Sequence, residues 1–157
     1  MTYQHLDRRL IRALQRDARR SMRQLAEELD VSTSTVRNHL RDLEERGVIR
    51  GYRPVVDYAS LGYSLVAIVR IKARGDAIPR IVEDLAADSR LTHVYEITGD
   101  FDVLAIGRFR DDTEMNREIK RLLGVEGVEG TNTSVVLEVH KEGGDVDVTR
   151  DLEDTDG

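Results

Sequence analysis

The side chains best suited to chemistry in this chain lie close together between positions 32 and 41. They are hydroxyls, guanidiniums and one carboxamide: Ser32, Thr33, Ser34, Thr35, Arg37, Asn38 and Arg41. Hydroxyls bind phosphates or base edges, Arg suits guanine, and Asn suits adenine. Such a set on one helix is typical of an element that enters the major groove of DNA.

The spacing of apolar residues in the same stretch predicts the helix that must carry them. Val36, Leu40 and Leu43 recur at i, i+4 and i+7, which is one face of a helix. Ser32 is a good N-cap for this helix, and Gly47 stands where a helix usually ends. The polar residues named above then face outward.

Two helices, the second of them short, are predicted to precede it. Leu6 to Ala18 has one apolar stripe, and Ser21 with Gln24 fits a capping box that opens a second helix. Asp30 tolerates the left-handed backbone that a tight turn between helices requires. We expect a helix-turn-helix followed by an extended wing over 48–56, whose Arg50 and Arg53 are placed to bind flanking phosphates.

Charge is distributed unevenly along the chain. Residues 1–53 hold 12 Arg against 8 Asp and Glu, a net +4, whereas the whole chain carries −6. The remainder is therefore −10, which indicates a basic interaction module attached to an acidic body. Lys is scarce beside Arg, and our hypothesis is that the acidic surplus with few Lys is an adaptation to a salt-accumulating cytoplasm, as in a halophilic archaeon; a GC-rich genome is the alternative explanation of Arg in place of Lys.

The second half changes from helical to strand periodicity. Predicted strands cover 65–74, 94–98, 103–109 and 133–140, and the last of these places Val135, Leu137 and Val139 on one face. One predicted helix starts at Asp76 and Pro79; another is capped by Thr113 and ends at Gly124. Gly99 to Asp102 has the composition of a hairpin turn.

This order of elements predicts an α+β protein. The N-terminal winged helix-turn-helix occupies 1–53, a linker 54–63, and a β-α-β-β-α-β, ferredoxin-like domain 64–142. Helices cover one face of such a sheet, so we expect a two-fold partner chain to cover the other. Residues 143–157 are acidic and are expected to be a disordered tail.

Several stretches resemble the Lrp/AsnC family of feast/famine regulators. The stretches that carry the resemblance are Leu6-Asp7, Arg20-Ser21, Leu25-Ala26, Val31-Ser32, Thr35-Val36, Leu43 to Ile49, Gly51-Tyr52, Leu61 to Tyr63, and Thr98 to Asp102. The similarity spans about residues 5–142. Asn38 stands where relatives often carry Arg or Lys, so the base preference of relatives does not transfer.

The resemblance implies a DNA-binding transcription regulator that responds to an amino acid or a similar small effector. Its C-terminal domain, called RAM, pairs two chains through their sheets, and dimers often assemble into octamers. Effectors bind between dimers near the hairpin and the start of the last strand. The matching positions are Gly99, Asp100 and Asp102, and more loosely Thr131 and Thr133.

Other classes of site fit the sequence poorly. The chain has no Cys, and its four His are scattered; His93 and Glu96 would point to opposite faces of a strand, so no metal site is expected. His39 flanks the apolar stripe of the third helix, which indicates a packing role. No nucleotide or nucleophile motif is present, so we predict no cofactor and no enzymatic activity.

Two alternatives remain open at this point. Some haem-pathway decarboxylases resemble the same family, although the His content fits them poorly. A stand-alone ligand-binding or adaptor protein with a vestigial helix-turn-helix is the other. There is no apolar run of about 20 residues and no apolar start, so we expect a cytoplasmic protein without membrane association.

Overall fold

The computed structural model describes the backbone of residues 3–150 and the side chains of residues 5–150. The chain forms two compact units. One is built from Met1–Pro54 together with the residues from Lys141 onward, and the other from Val55–His140. Each unit has its own core.

Three helices form the first unit, α1 (Tyr3–Arg16), α2 (Met22–Leu29) and α3 (Thr33–Glu45). Each buries one apolar stripe in a shared core, which confirms the predicted periodicity. The buried members are Leu6, Leu10, Ala13, Leu14, Leu25, Ala26, Leu29, Val36, Leu40 and Leu43.

The predicted caps hold these helices in place. Ser21 and Gln24 form the reciprocal capping box of α2, and Asp30 ends that helix in the left-handed conformation with a φ of 56°. Ser32 caps α3 by accepting a hydrogen bond from the Thr35 amide at 3.1 Å. Gly47 follows α3 with a φ of 68°, which is why a residue without a Cβ is suited to this position.

The segment after α3 lies where the sequence predicts an extended wing. Residues 50–57 have no regular secondary structure and take part in no β-ladder with the rest of the described chain. Val55 in this segment is fully exposed.

The second unit has the predicted order of strands and helices after a short 3₁₀ helix at Ala59–Leu61. The elements are β1 (Leu65–Ala73), α4 (Ile78–Ala86), β2 (Leu91–Glu96), β3 (Val103–Phe109), α5 (Asp112–Leu123) and β4 (Val128–Val135). The strands form one antiparallel sheet in the order β2-β3-β1-β4. This is the predicted ferredoxin-like arrangement.

Both helices of this unit cover the same face of the sheet. Val69, Ile71 and Val103 on that face pack with Ile81 and Leu85 of α4. Met115 of α5 packs with Ala67 and Phe109 of the same sheet face. The opposite face carries residues such as Ile68 and Ile106, which lie side by side on β1 and β3 and are only half buried.

Several predicted boundaries in this unit were wrong. Asp111, and not Thr113, caps α5, accepting from the Glu114 amide at 2.7 Å. Helix α4 has no side-chain cap, because its N-cap residue is Ala77, and Asp76 before it pairs with Arg74. Strand β2 runs three residues earlier than predicted at its start, and β4 starts at Val128 and ends at Val135.

The predicted last strand was therefore displaced along the chain. Leu137 and Val139, expected on its apolar face, are 99% and 48% exposed. The pairing of β4 with β1 decides this register, since Thr133 lies opposite Val69 and Val135 opposite Ala67. The Val136 amide still donates to the Val66 carbonyl of β1 at 2.9 Å, whereas the alternating residues from Leu137 onward belong to no strand.

Residues of the C-terminal segment contact α1 within the first unit, and the expected disorder of residues 143–157 stays a prediction. The Gln15 amide donates to the Val146 carbonyl at 3.3 Å, and Arg12 lies 3.7 Å from the carboxylate of Asp147. Acidic residues of this segment thus face cations of α1 within the first unit. None of the described helices is long and apolar enough to cross a membrane.

Gly127 tests how closely the start of α4 packs against the segment that leads into β4. Its φ is +91°, and a Cβ at this position would lie 2.2 Å from the Cβ of Ala77. We expect Gly127→Ala to lower the free energy of unfolding by roughly 2–4 kcal/mol, since both strain and overlap are introduced. Gly130→Ala, with nothing within 4 Å of its added Cβ, is the control. Equal stability of the two variants in urea denaturation would contradict this account.

Candidate nucleic-acid interface and effector region

The outward face of α3 is the surface that the sequence assigned to DNA. Thr33, Ser34, Arg37, Asn38 and Arg41 are all exposed, whereas Val36, Leu40 and Leu43 on the other side are buried. Arg41 lies 3.8 Å from Glu45 in an exposed ion pair, which is too weak to hold the guanidinium away from DNA. The predicted set is therefore brought together on one face.

Two of the predicted residues have a structural role at the start of α3. The Ser32 hydroxyl lies 2.8 Å from the hydroxyls of both Ser34 and Thr35 and also caps the helix. Thr35 is half buried. Ser32 and Thr35 thus shape the N-terminus of α3, whose free N–H groups suit a phosphate.

The extended segment that carries Arg50 and Arg53 is fixed to α3 by Tyr52. Its hydroxyl donates to Glu44 Oε1 at 2.9 Å. Partial burial and this hydrogen bond raise the pKa of Tyr52 to about 12, so the hydroxyl remains a donor at neutral pH. Arg50 and Arg53 are both exposed on either side of this contact.

Helix α3 is also held from its inner side by a buried carboxylate. Asp7 of α1 accepts a hydrogen bond from His39 of α3, with 2.6 Å between Oδ1 and Nδ1, and both side chains are less than 10% exposed. Arg46, at the end of α3, lies 3.6 Å from the other oxygen of Asp7 and 2.7 Å from Asp42. Asp42, and more weakly Asp7, raises the pKa of Arg46.

The hairpin between β2 and β3 holds the residues assigned to an effector. Gly99 has a φ of 114°, in the region that favours glycine, and Gly99 and Asp100 are both exposed. Asp102 is half buried, and its carboxylate accepts from the Ala73 amide at 2.9 Å and from Lys72. These two donors, the amide first, lower the pKa of Asp102. Asp102 is thus already engaged in joining the hairpin to the end of β1.

Thr131 and Thr133 lie on β4, across β1 from this hairpin. Thr131 is opposite Ile71, and the Asp102 amide donates to the Ile71 carbonyl at 2.9 Å. Both threonines are half buried. They share the end of the sheet with the hairpin, but β1 separates them from it.

Sequence reasoning missed two networks of buried charge. Asp7 and His39 form the first network. His39 is buried, in agreement with the predicted packing role, but its hydrogen bond to Asp7 was not predicted. Glu118, 2% exposed on α5, pairs with Arg90 and Arg121. The sequence offered one signal for the first network: Asp7 lies within an apolar stripe, because it precedes Leu10 and Leu14 by three and seven residues.

Among the described residues no group of His, Asp and Glu is arranged to hold a metal ion.

Comparison with known families matches both units. Residues 4–50 match the winged helix-turn-helix DNA-binding model, and residues 66–146 match the Lrp/AsnC ligand binding domain. An HTH-type transcriptional regulator of Pyrococcus horikoshii is 44% identical over 87% of this chain and 93% of its own length. The regulator FL11 of the same organism is 32% identical over 87% and 91%.

Solved structures agree with the fold. A transcriptional regulator of Neisseria meningitidis, determined as a complex with L-Met, has a TM-score of 0.82 and 25% identity over 87% of this chain and 91% of its own. E. coli AsnC has a TM-score of 0.81 at 24% identity, covering 87% and 93%, and shows the same fold. Matched in both units and over most of its length, the chain belongs to the Lrp/AsnC family of DNA-binding transcriptional regulators.

Proposed function

We propose that this regulator reads DNA with the exposed face of α3, supported by the arginines of the following segment. The reading residues are Thr33, Ser34, Arg37, Asn38 and Arg41, with Ser32 and Thr35 at the helix N-terminus and Arg50 and Arg53 on the flanking backbone. The observation that carries the proposal is the division of α3 into a buried apolar face and an exposed polar face.

We propose in addition that the chain acts as a homodimer joined through its sheets, with octamers as a further assembly. The support is the sheet face opposite α4 and α5, where Ile68, Leu104 and Ile106 have no helix over them within the described unit. A second sheet would bury these side chains. Two α3 helices then reach successive major grooves, about one helical turn or roughly 10 bp apart, on a pseudo-palindromic operator.

The effector is proposed to be an amino acid bound beside the hairpin, between dimers. The Neisseria relative was solved with L-Met, and Asp100 is an exposed carboxylate that suits an α-ammonium group. Gly99 exposes its backbone, and Thr131 and Thr133 offer hydroxyls at the same end of the sheet. Asp102 contributes by holding the hairpin to β1. The protein in this proposal acts in the cytoplasm by binding alone, without catalysis.

Arg37 tests the reading face. We expect Arg37→Ala to weaken binding to a duplex selected from a random library by about tenfold to hundredfold and to relax sequence preference at one position. Binding to a scrambled duplex should change little. Arg80→Ala removes an exposed Arg from α4, outside this unit, and is the control. An unchanged preference in fluorescence anisotropy would remove Arg37 from the interface.

Ile68 tests the sheet pairing. We expect Ile68→Glu to dissociate the dimer, because a carboxylate would be buried without a partner between two sheets. Sedimentation at micromolar concentration should show a dimer for the wild type and a monomer for the variant. Asn116→Glu adds the same charge on an exposed site of α5 and should remain dimeric. If the wild type sediments as a monomer, the proposed dimer is wrong.

Asp100 tests the effector site. We expect Asp100→Asn to abolish the change in DNA binding that L-methionine, or another member of a panel of amino acids, produces in the wild type. Loss of the carboxylate removes the partner of the α-ammonium. Asp84→Asn, an exposed carboxylate on α4, is the control. A full response in the Asp100 variant would place the effector elsewhere.

A further inference from the structure

One carboxylate on α1 contacts a residue of α3 and the C-cap residue of that helix, which lie two helical turns apart. Asp7 Oδ1 is 2.6 Å from His39 Nδ1, and Asp7 Oδ2 is 3.6 Å from Arg46 Nη1. Positions seven apart on a helix lie on nearly the same face. The two contacts therefore fix α3 along one flank, beside its apolar stripe.

The apolar stripe alone would leave α3 free to rotate slightly about its axis, and the contact with Asp7 restricts that rotation. Val36, Leu40 and Leu43 make dispersion contacts, which have no direction and tolerate small rotations of a helix about its axis. A hydrogen bond between two buried groups is strongly directional. Rotation of α3 away from Asp7 would leave a carboxylate buried without its partner, which is far costlier than a shifted methyl contact.

Rotation of α3 matters for DNA because its reading residues lie far from its axis. Arg37 and Asn38 are the two residues before His39 and are both exposed, away from the core. A rotation of about 20° displaces a group 7 Å from the helix axis by roughly 2 Å, which is enough to lose a hydrogen bond to a base edge. Contacts to phosphates by long exposed arginines adapt to such a change more readily than paired base contacts do.

We propose that the Asp7–His39 hydrogen bond, flanked by Arg46, sets the rotation of α3 and thereby the sequence preference of the protein. Asp7 and His39 are positioning residues in this proposal and do not touch DNA. It rests on the proposed reading face of α3. Its specific claim is that breaking the bond harms discrimination between sequences more than it harms binding to DNA in general.

The experiment uses three substitutions at this contact and one control substitution elsewhere, all in the full-length protein. His39→Leu removes the hydrogen bond while keeping an apolar side chain of similar bulk, and Asp7→Asn removes the charge. His39→Asn is the conservative variant, because its amide nitrogen is bonded to Cγ as Nδ1 is in His and can still donate to Asp7. Affinity is measured for a duplex selected by the wild type and for a scrambled duplex.

We expect His39→Leu to lower the ratio of the two affinities by about tenfold or more, and Asp7→Asn to lower it less, while the scrambled duplex is bound nearly as before. His39→Asn should restore most of the ratio. Leu25→Val, which thins the core on α2 away from this contact, is the stability control. It should lower the midpoint of thermal unfolding and leave the ratio unchanged.

The outcomes separate this inference from the proposed function. A wild type that selects no sequence overturns both. A wild type that selects a sequence, with His39→Leu keeping the same ratio, overturns the positioning role alone. The positioning role is also wrong if Leu25→Val lowers the ratio of the two affinities as much as His39→Leu does, or if His39→Asn does not restore that ratio. Either result would show that general stability, and not the hydrogen bond, controls discrimination between sequences.

Discussion

The packing of α3 into the core of the first unit is the interaction on which its DNA-reading surface depends. A helix of 13 residues is only marginally stable alone in water. Burial of Val36, Leu40 and Leu43 stabilises it by about 1.5–3 kcal/mol for each side chain. The same burial determines which side of α3 faces solvent, so stability and the presentation of Arg37 and Asn38 have one cause.

Both units have small cores, and each contains a carboxylate that joins separate elements. Asp7 joins α1 to α3, and Glu118 on α5 pairs with Arg90 at the start of β2. Such buried charges add little net stability, because desolvation offsets much of their attraction. Their consequence is geometric, since they are satisfied in only one arrangement of the elements that they join. This is the basis of the positioning role assigned to Asp7.

Electrostatics and assembly are linked in the proposed mechanism. The basic character of residues 1–53 is local, and acidic residues of the C-terminal segment, such as Asp147, lie against α1 beside Arg12. At molar salt the Debye length is about 3 Å, and counterion release contributes little to binding. Under those conditions two reading helices on one duplex supply affinity that a single basic surface does not. The salt-rich source inferred from composition stays a prediction.

Local signals in the sequence determined most elements and the exposure of the residues proposed to read DNA. The capping pairs Ser21–Gln24 and Ser32–Thr35 and the apolar stripes act within a few residues, so their outcome depends little on the rest of the chain. Tertiary structure decided where β4 ends and which partner each buried charge has. Strand β4 occupies Val128–Val135 and not 133–140, because its pairing with β1 sets its position, although the alternation continues beyond Val135. Likewise, an acidic residue within an apolar stripe indicates that its carboxylate has a buried partner. Which residue is the partner depends on the tertiary structure, because His39 lies 32 positions from Asp7 in the sequence.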